Sequence, residues 1–505
     1  MRKDPAHPSN PKLRHSFAGI VGILVPTLIL TIAAVARAQY SGMISGSTTA
    51  PGVTGQNSST GSNMNSQQNP YLGSVPSGKA TPQILSLSMR EAIERGLRYN
   101  LALLLNEQST RESRGQRWVA LSQMLPHVTT ETREAKEMVN LKAIGFPSTI
   151  HNVNPISGPF NVFDTRAYLS SAILDLHALR NERAASEQVR SAQYTYQDAR
   201  NLVVLVVGNA YLQSIAADSR VHEAEAQVNT AQALYQLAVE RLNAGLSPEI
   251  DMLRAQVELT FRKEQLIAAK NEDSTAMLNL TRVIGLPDGQ QFTLSTEMPF
   301  EPLQGITLEN ALADALANRP DYKAAVAEVH AAEERRRAIE AERLPSLSFE
   351  GNYGDIGLKP TDSHGTFLAQ VSLKIPVFQG RRVHGELIQA DAQLKQKQQQ
   401  LDNLKGQISY DVRTSLLNLE TAAQQVAATR SNVGLAQQTL TQARDRFKSG
   451  VTDNIEVIQA QEAVASADES YITSLYQYNL AKVALARAVG IAEQAVLRYL
   501  GGKTP

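Results

Sequence analysis

Two pairs of polar residues, each expected near the start of a helix, are the best candidates for chemistry in this 505-residue chain. Glu456 and Gln459 are three residues apart, and so are Asp251 and Arg254, so the members of each pair share one helical face. A carboxylate near a helix N-terminus suits the helix dipole and needs no further role. A carboxylate such as Glu456 also attracts cations.

The sequence offers no other reactive site. It contains no cysteine, so no thiol is available for metal binding or nucleophilic attack. The histidines are scattered, and His330 beside Glu333 and Glu334 belongs to a charge-dense helix that we interpret as a solvated face. No phosphate-binding glycine loop, zinc-protease helix or nucleophile elbow occurs. We therefore expect no enzymatic activity, no cofactor and no bound metal.

The first 38 residues predict a signal peptide. Basic residues precede an apolar stretch over 17–35, and Ala36-Arg37-Ala38 supplies the small-x-small pattern for cleavage before Gln39. An uncleaved membrane anchor is the alternative, because the apolar stretch is long enough to span a bilayer. Pro26 and the Ala-x-Ala pattern favour cleavage. The net charge of zero gives no reason to expect nucleic-acid binding.

Most of the mature chain is an internal duplication. Residues 87–93 reappear as 306–312, Leu-Pro at 125–126 as Leu-Pro at 344–345, and 241–245 as 446–450. Two alanine-rich helices that were similar by chance would not keep this order of non-helical landmarks. The predicted division is a disordered Ser/Thr/Gly/Asn-rich leader (39–82), a first repeat (83–285), an inter-repeat linker (286–305), a second repeat (306–490) and a C-terminal tail (491–505).

Each repeat has the same predicted elements. A helix (101–124 and 321–343) ends at Leu-Pro, because proline stops a helix and favours an extended segment. Alternating apolar residues then predict two strands, clearly over 367–377 and more weakly over 163–174. A long helix follows (177–244 and 381–449), roughly 100 Å long at ~1.5 Å per residue. Its apolar residues recur every seven positions, as in a coiled coil, at Val221, Val228, Tyr235 and Leu242 and at Leu419, Val426, Val433, Leu440 and Phe447.

A tight turn joins each long helix to a return helix of about half its length. Gly245 and Gly450 are predicted C-terminal caps, and Ser247 and Thr452 are predicted to open the return helices. Leu246 and Val451 would then be small apolar contact points at the tips. The simpler interpretation is that these residues only cap helices.

The strands require several chains. Four strands with one apolar face cannot close into a barrel, and an open sheet is unstable in lipid. After the signal peptide no stretch reaches the ~20 apolar residues of a spanning helix. A membrane-embedded form would therefore pool strands from two or three chains, and only three would leave a wide lumen. The long helices would continue the cylinder below the membrane.

This arrangement resembles the TolC-like outer-membrane efflux proteins, or outer membrane factors, over roughly 85–500. The resemblance rests on the duplicated order, on the Leu-Pro before each first strand, on Pro376-Val377-Phe378 after the last strand and on the two helical turns. It implies a mainly α fold with a small β part, in which duplicated long-helix hairpins lie below a twelve-stranded barrel shared by a homotrimer. It also implies a channel of a tripartite efflux or secretion system in the outer membrane of a Gram-negative bacterium, with a periplasmic adaptor (membrane fusion) protein and an inner-membrane pump as partners.

The resemblance assigns roles to the two candidate regions. The turns would dock the adaptor, through Gly245, Leu246, Ser247, Gly450, Val451 and Thr452. Positions matching Glu456 and Gln459 are acidic in the family and ring the closed periplasmic entrance. The amide at Gln459 halves the expected charge here. Glu456 from symmetry-related chains would form the ring, and Asp251 and Arg254 would tie neighbouring helices shut.

A soluble periplasmic coiled-coil scaffold or adaptor is the alternative function. It would explain the signal peptide and the long helices, but it leaves two matched strand pairs unexplained. Within the channel hypothesis the cargo stays open between drugs, metal ions and proteins.

Overall fold

The computed structural model describes residues 69–141, 143, 156–295, 298, 300–303, 305–452 and 454–500, without the side chain of Leu497. The predicted signal peptide, leader residues 39–68, loop residues 144–155 and tail residues 501–505 lie outside the described residues.

The order of elements repeats. The first series is α1 (Met89–Tyr99), α2 (Leu101–Ser122), β2 (His127–Asn140), β3 (Ile156–Leu174), α3 (Leu176–Asn243) and α4 (Glu249–Ile284). The second is α5 (Leu308–Asn318), α6 (Pro320–Ala341), β5 (Ser346–Gly357), β6 (Ser363–Lys374), α7 (Arg382–Lys448) and α8 (Asn454–Ala488). Outside the two series are β1 (Leu85–Leu87), β4 (Phe292–Leu294) and α9 (Ala492–Tyr499).

The long helices are as predicted. Helices α3 and α7 have 68 and 67 residues, so each is roughly 100 Å long. The return helices α4 and α8 have 36 and 35 residues, about half that length. Helix α3 is also apolar and long enough to cross a membrane, but 56% of its most apolar stretch is buried inside the protein. That burial is typical of a core helix.

The heptad seam is correct at four of five predicted positions on α7 and displaced on α3. On α7 the predicted residues Leu419, Val426, Leu440 and Phe447 are buried, and Val433 is half-buried. On α3 the predicted Val221, Val228, Tyr235 and Leu242 are only half-buried, and the buried series is Ala224, Ala231 and Ala238. Alanine has almost no side chain to separate two backbones, so the neighbouring helix packs closest along the alanine row.

Four of the strands form an antiparallel sheet in the order β2-β3-β5-β6. Strands β3 and β5 join the two repeats at its centre, where Ala167 lies opposite Tyr353. Among the described residues, β2 and β6 each have one hydrogen-bonded neighbour, so the outer edge of each pairs with no other described strand. Strand β6 ends at Lys374, short of the predicted Val377. Pro376, which has no N–H to donate, follows two residues later.

Residues 69–82 correct the predicted leader. They are ordered: Tyr71 packs against the core, Val75 donates a backbone hydrogen bond to Tyr99 O (2.9 Å), and Ser77 donates one to Gly285 O (3.2 Å). The inter-repeat linker contains β4, which pairs in parallel with β1. The tail begins with α9, whose buried residues join the same core as the middle of α3. The segment around Tyr71, the linker and the start of the tail thus all pack against the middle of the helical hairpins.

Candidate functional site

The first tip is the turn between α3 and α4. Gly245 has a positive φ of 69°, a conformation that a side chain disfavours. The N–H of Leu246 donates to Arg241 O at 2.8 Å, which caps the last turn of α3. Leu246 itself is 69% exposed. Pro248, not Ser247, is the N-cap of α4, and the Ser247 hydroxyl is buried with no hydrogen-bond partner among the described residues. The predicted cap at Ser247 is therefore wrong.

The second tip, between α7 and α8, has the same geometry. Gly450 has φ of 73°, and the N–H of Val451 donates to Arg446 O at 3.0 Å. Val451 is 69% exposed, as Leu246 is in the first tip. Thr452 is half-buried, and α8 begins two residues later at Asn454. Each turn thus presents one aliphatic side chain to solvent beyond a rigid helix end.

The two tips are bonded to each other. Arg241 of α3 donates to Phe447 O of α7 at 2.5 Å, and its guanidinium carbon lies 4.7 Å from the centroid of the Phe447 ring. The fully buried Asn454 of α8 donates to Asp251 O of α4 at 2.7 Å. Beneath these bonds Leu234, Ala238, Ala255, Leu440, Ala443, Phe447, Val457 and Ala460 form one apolar cluster. The hairpins α3–α4 and α7–α8 therefore end in a single packed unit.

Asp251 and Arg254 pair within one helix. Their side chains are 3.6 Å apart on the first turns of α4, with Asp251 mostly buried and Arg254 half-exposed. The Asp251 carbonyl is the acceptor for Asn454. Within the chain, this pair thus lies where α4 meets the start of α8.

Glu456 and Gln459 lie on the first turns of α8. Gln459 is exposed, and the Glu456 carboxylate is 3.6 Å from the Arg446 guanidinium at the end of α7. The side chain of Glu456 is 39% exposed and that of Arg446 is 56% exposed. Water therefore screens this ion pair, which holds Glu456 only weakly. The structure thus brings all ten candidate residues to one end of the helical hairpins.

Arg241, Phe447 and Asn454 were not identified as functional from the sequence. The duplication could have pointed to Arg241, because Arg241 and Arg446 occupy equivalent places in the two turns. Both reach to a neighbouring element, Arg241 to Phe447 and Arg446 to Glu456. Asn454 gives no such signal, because an asparagine that opens a helix most simply caps it.

A family model described as "Outer membrane efflux protein" matches residues 93–286 and 311–491. The alkaline protease secretion protein AprF of Pseudomonas aeruginosa is 22% identical over 351 residues, covering 67% of this chain and 72% of AprF. The outer membrane protein TolC of Escherichia coli is 22% identical over 356 residues, covering 67% of this chain and 71% of TolC.

Solved structures share the fold. The Campylobacter jejuni CmeC outer membrane channel matches with a TM-score of 0.68 at 17% identity, covering 88% of this chain and 94% of CmeC. The open state of the Neisseria gonorrhoeae MtrE outer membrane channel matches with a TM-score of 0.68 at 16% identity, covering 83% of this chain and 94% of MtrE.

Proposed function

The chain belongs to the outer membrane efflux protein family, and we propose that it forms the passive exit duct of a tripartite efflux or secretion system. The main support is that one chain joins a four-stranded sheet to helical hairpins roughly 100 Å long. The two outer edges of that sheet pair with no other described strand. The sheet is the membrane part and the hairpins are the periplasmic part. The duct performs no catalytic step, and a partner pump supplies the energy for export.

The sheet supports a barrel shared between three chains. Within the described part of the chain, the outer edges of strands β2 and β6 pair with no other strand, and lipid offers no water to satisfy their backbone groups. Pairing β6 of one chain with β2 of the next satisfies both edges and closes twelve strands. Phe367, Val371 and Leu373 on β6 are 61–79% exposed within the single chain and suit a lipid-facing surface. A soluble scaffold gives no account of these exposed apolar strands.

The tips support docking of a periplasmic adaptor. Leu246 and Val451 are exposed aliphatic side chains on turns fixed by positive-φ glycines, and the bonds between the hairpins hold the two turns in one unit. An exposed leucine or valine at a rigid position offers apolar area at little entropic cost on binding. The adaptor contact would extend over Gly245, Ser247, Gly450 and Thr452.

Glu456 and Arg254 support a periplasmic gate. The half-exposed Glu456 carboxylate is held only weakly within its own chain, so it is free to contribute to a ring of three around the entrance. Such a ring favours cations. Arg254, half-exposed beside Asp251, is placed to reach a neighbouring chain, whereas Asp251 anchors α8 within its own chain.

Planar-bilayer recording tests the proposed duct. The purified full-length protein is added to a membrane between two salt solutions, and the current is measured at fixed voltage. Stepwise conductance with a reversal potential on the cation side supports a duct with an acidic constriction. Purified protein that inserts into the bilayer but carries no current would contradict it.

A further inference from the structure

A buried carboxyl pair bridges the two hairpins about 30 Å above the tips. Asp468 of α8 is only 9% exposed, and it lines the same cavity as Glu223 of α3. Two carboxyl groups that meet in such a space attract each other when they share one proton. They repel each other when both are ionised.

A small cavity adjoins the pair. Its volume is about 170 Å³, and its lining includes Glu223, Asp468, Arg262 and Gln461. Gln461 is 6% exposed, and neither atom of its amide has a hydrogen-bond partner in the part of the chain that the structure describes. An amide buried with both atoms unpaired is costly. The cavity beside the carboxyl pair therefore suits water or another polar group.

The basic groups near the pair are each bonded to another acid. On α4, Arg262 is bonded to Glu258 at 2.6 Å. Arg220 of α3 is bonded to Glu469 of α8 at 2.9 Å. The other charged groups near the pair are both acidic, Glu272 on α4 and Glu462 on α8. Helix α7 lines the cavity with Gln437 and Leu440, both uncharged.

We propose that Glu223 and Asp468 form a proton-binding site that fastens α8 to α3 when one proton is shared and loosens the contact when that proton leaves. In the bound form the Asp468 O–H donates to the Glu223 carboxylate. On deprotonation the proton passes to cavity water and two negative charges remain in contact. The site binds its proton regardless of what the protein transports; the effect on channel opening rests on the proposed function.

A divalent metal ion fits the same site poorly. Calcium or magnesium takes six or more oxygen ligands, and this cavity offers two carboxyl groups and a few amide oxygens. The Arg262 guanidinium lines the same space and repels a cation. In the described residues, no group of three or more His, Cys, Asp or Glu is placed to hold a metal.

The direction of the pH effect follows from Asp468. Burial, together with the charge and hydrogen bond of Glu223, raises the pKa of Asp468 from 3.8 to about 6. Because the pKa in the packed state is raised, the packed arrangement is favoured at low pH, and this advantage is lost as the pH rises through about 6. The equilibrium between packed and separated helices should shift by at least about tenfold between pH 4 and pH 7.

Spin-label distances between α3 and α8 test the proposal. The chain has no cysteine, so Asn229→Cys and Ser466→Cys, at exposed positions on the two helices, give one label each without background. The distribution of distances between the two labels is measured by pulsed electron paramagnetic resonance, on the full-length protein in mild detergent, at pH 5 and pH 7.5. We expect a narrow distribution at pH 5 and a broader or longer one at pH 7.5.

Variants in the labelled protein identify the group that titrates. Asp468→Asn should keep the narrow distribution at both pH values, because an amide donates without a titratable proton. Glu462→Gln, an exposed acid on the same helix, should leave the pH response intact.

A distribution that is equal at both pH values without these substitutions, or a pH response that survives Asp468→Asn, overturns the proposal. So does a narrow distribution restored at pH 7.5 by millimolar calcium or magnesium. A chain that gives the expected distances but carries no current would contradict the duct and leave the proton site standing.

Discussion

The Arg241 side chain of the first long helix donates to the Phe447 carbonyl of the second, with its guanidinium carbon 4.7 Å from the Phe447 ring. Phe447 is the last buried residue of the α7 heptad seam, two residues before the C-cap. A single side chain therefore connects the end of one hairpin to the core of the other. Any movement that separates the tips must first break this contact.

Arg241→Ala should loosen the contact between the two tips. The substitution removes a hydrogen bond to a carbonyl and a cation–π contact, each worth roughly 1 kcal/mol. In planar bilayers we expect a several-fold higher open fraction. Lys448→Ala, which removes an exposed cation beside Phe447, is the matched control and should leave gating unchanged. Equal behaviour of the two variants would argue against the tip contact.

Gly245→Ala should destabilise the first tip. The φ of 69° costs a residue with a Cβ about 1 kcal/mol, although no atom lies within 4 Å of the added carbon. Gly434→Ala, inside α7 and 14 residues before its last residue, is equally open and should be neutral or stabilising by up to about 1 kcal/mol. Hydrogen exchange of the tip amides measures the difference. Faster exchange at the tip in Gly434→Ala but not in Gly245→Ala would contradict the assignment.

Glu456→Ala should reduce cation preference. In a threefold ring the change removes three negative charges, and the reversal potential in a salt gradient should move toward zero. Gln459→Glu adds a carboxylate one helical turn away and should move it in the opposite direction. If both variants kept the original reversal potential, the ring would have to be placed elsewhere.

Lys482→Met should stabilise the protein at neutral pH. Lys482 is fully buried, and within the described part of the chain its ammonium has no hydrogen-bond partner, only the Tyr478 ring at 4.7 Å. Burial lowers the pKa of Lys482 from 10.5 to about 8, and Glu301 opposes that shift more weakly. Methionine removes the desolvation cost and loses the ring contact, so we expect a gain of about 1–2 kcal/mol at pH 7.

The pH dependence checks the cause of that gain. A lowered pKa means that the original protein gains stability as the pH rises from about 8 to 10.5 and loses it as the pH falls through 8. Lys482→Met lacks this change, so the difference between the two thermal midpoints should shrink above pH 8. A difference that stayed constant up to pH 10.5 would show that altered packing, not the buried charge, is responsible.

The fold was largely predictable because its signals are long and repeated. Proline, glycine and seven-residue spacing marked both ends of α3 and α7 to within a residue or two. The ordered segment around Tyr71 was missed, because a single aromatic anchor in a polar stretch gives no periodic signal. The displaced seam on α3 has a similar cause: alanine packs closely but is weakly hydrophobic, so larger half-buried neighbours dominated the pattern.

The candidate site was predictable only in its location. Duplicated glycines placed both tips correctly, since positive φ at Gly245 and Gly450 is a local requirement. The Arg241–Phe447 and Asn454–Asp251 contacts join residues more than 200 positions apart, which one sequence cannot reveal. The carboxyl pair of Glu223 and Asp468 was hidden for the same reason.

The most direct test of the duct is the mass of the native particle. The cell envelope is fractionated, the outer membrane is extracted in mild detergent, and light scattering gives the protein mass free of detergent. Three mature chains per particle, found in the outer-membrane fraction, is the predicted result, because three copies close the open edges of β2 and β6. A soluble periplasmic monomer or dimer would contradict the shared barrel and favour a coiled-coil scaffold.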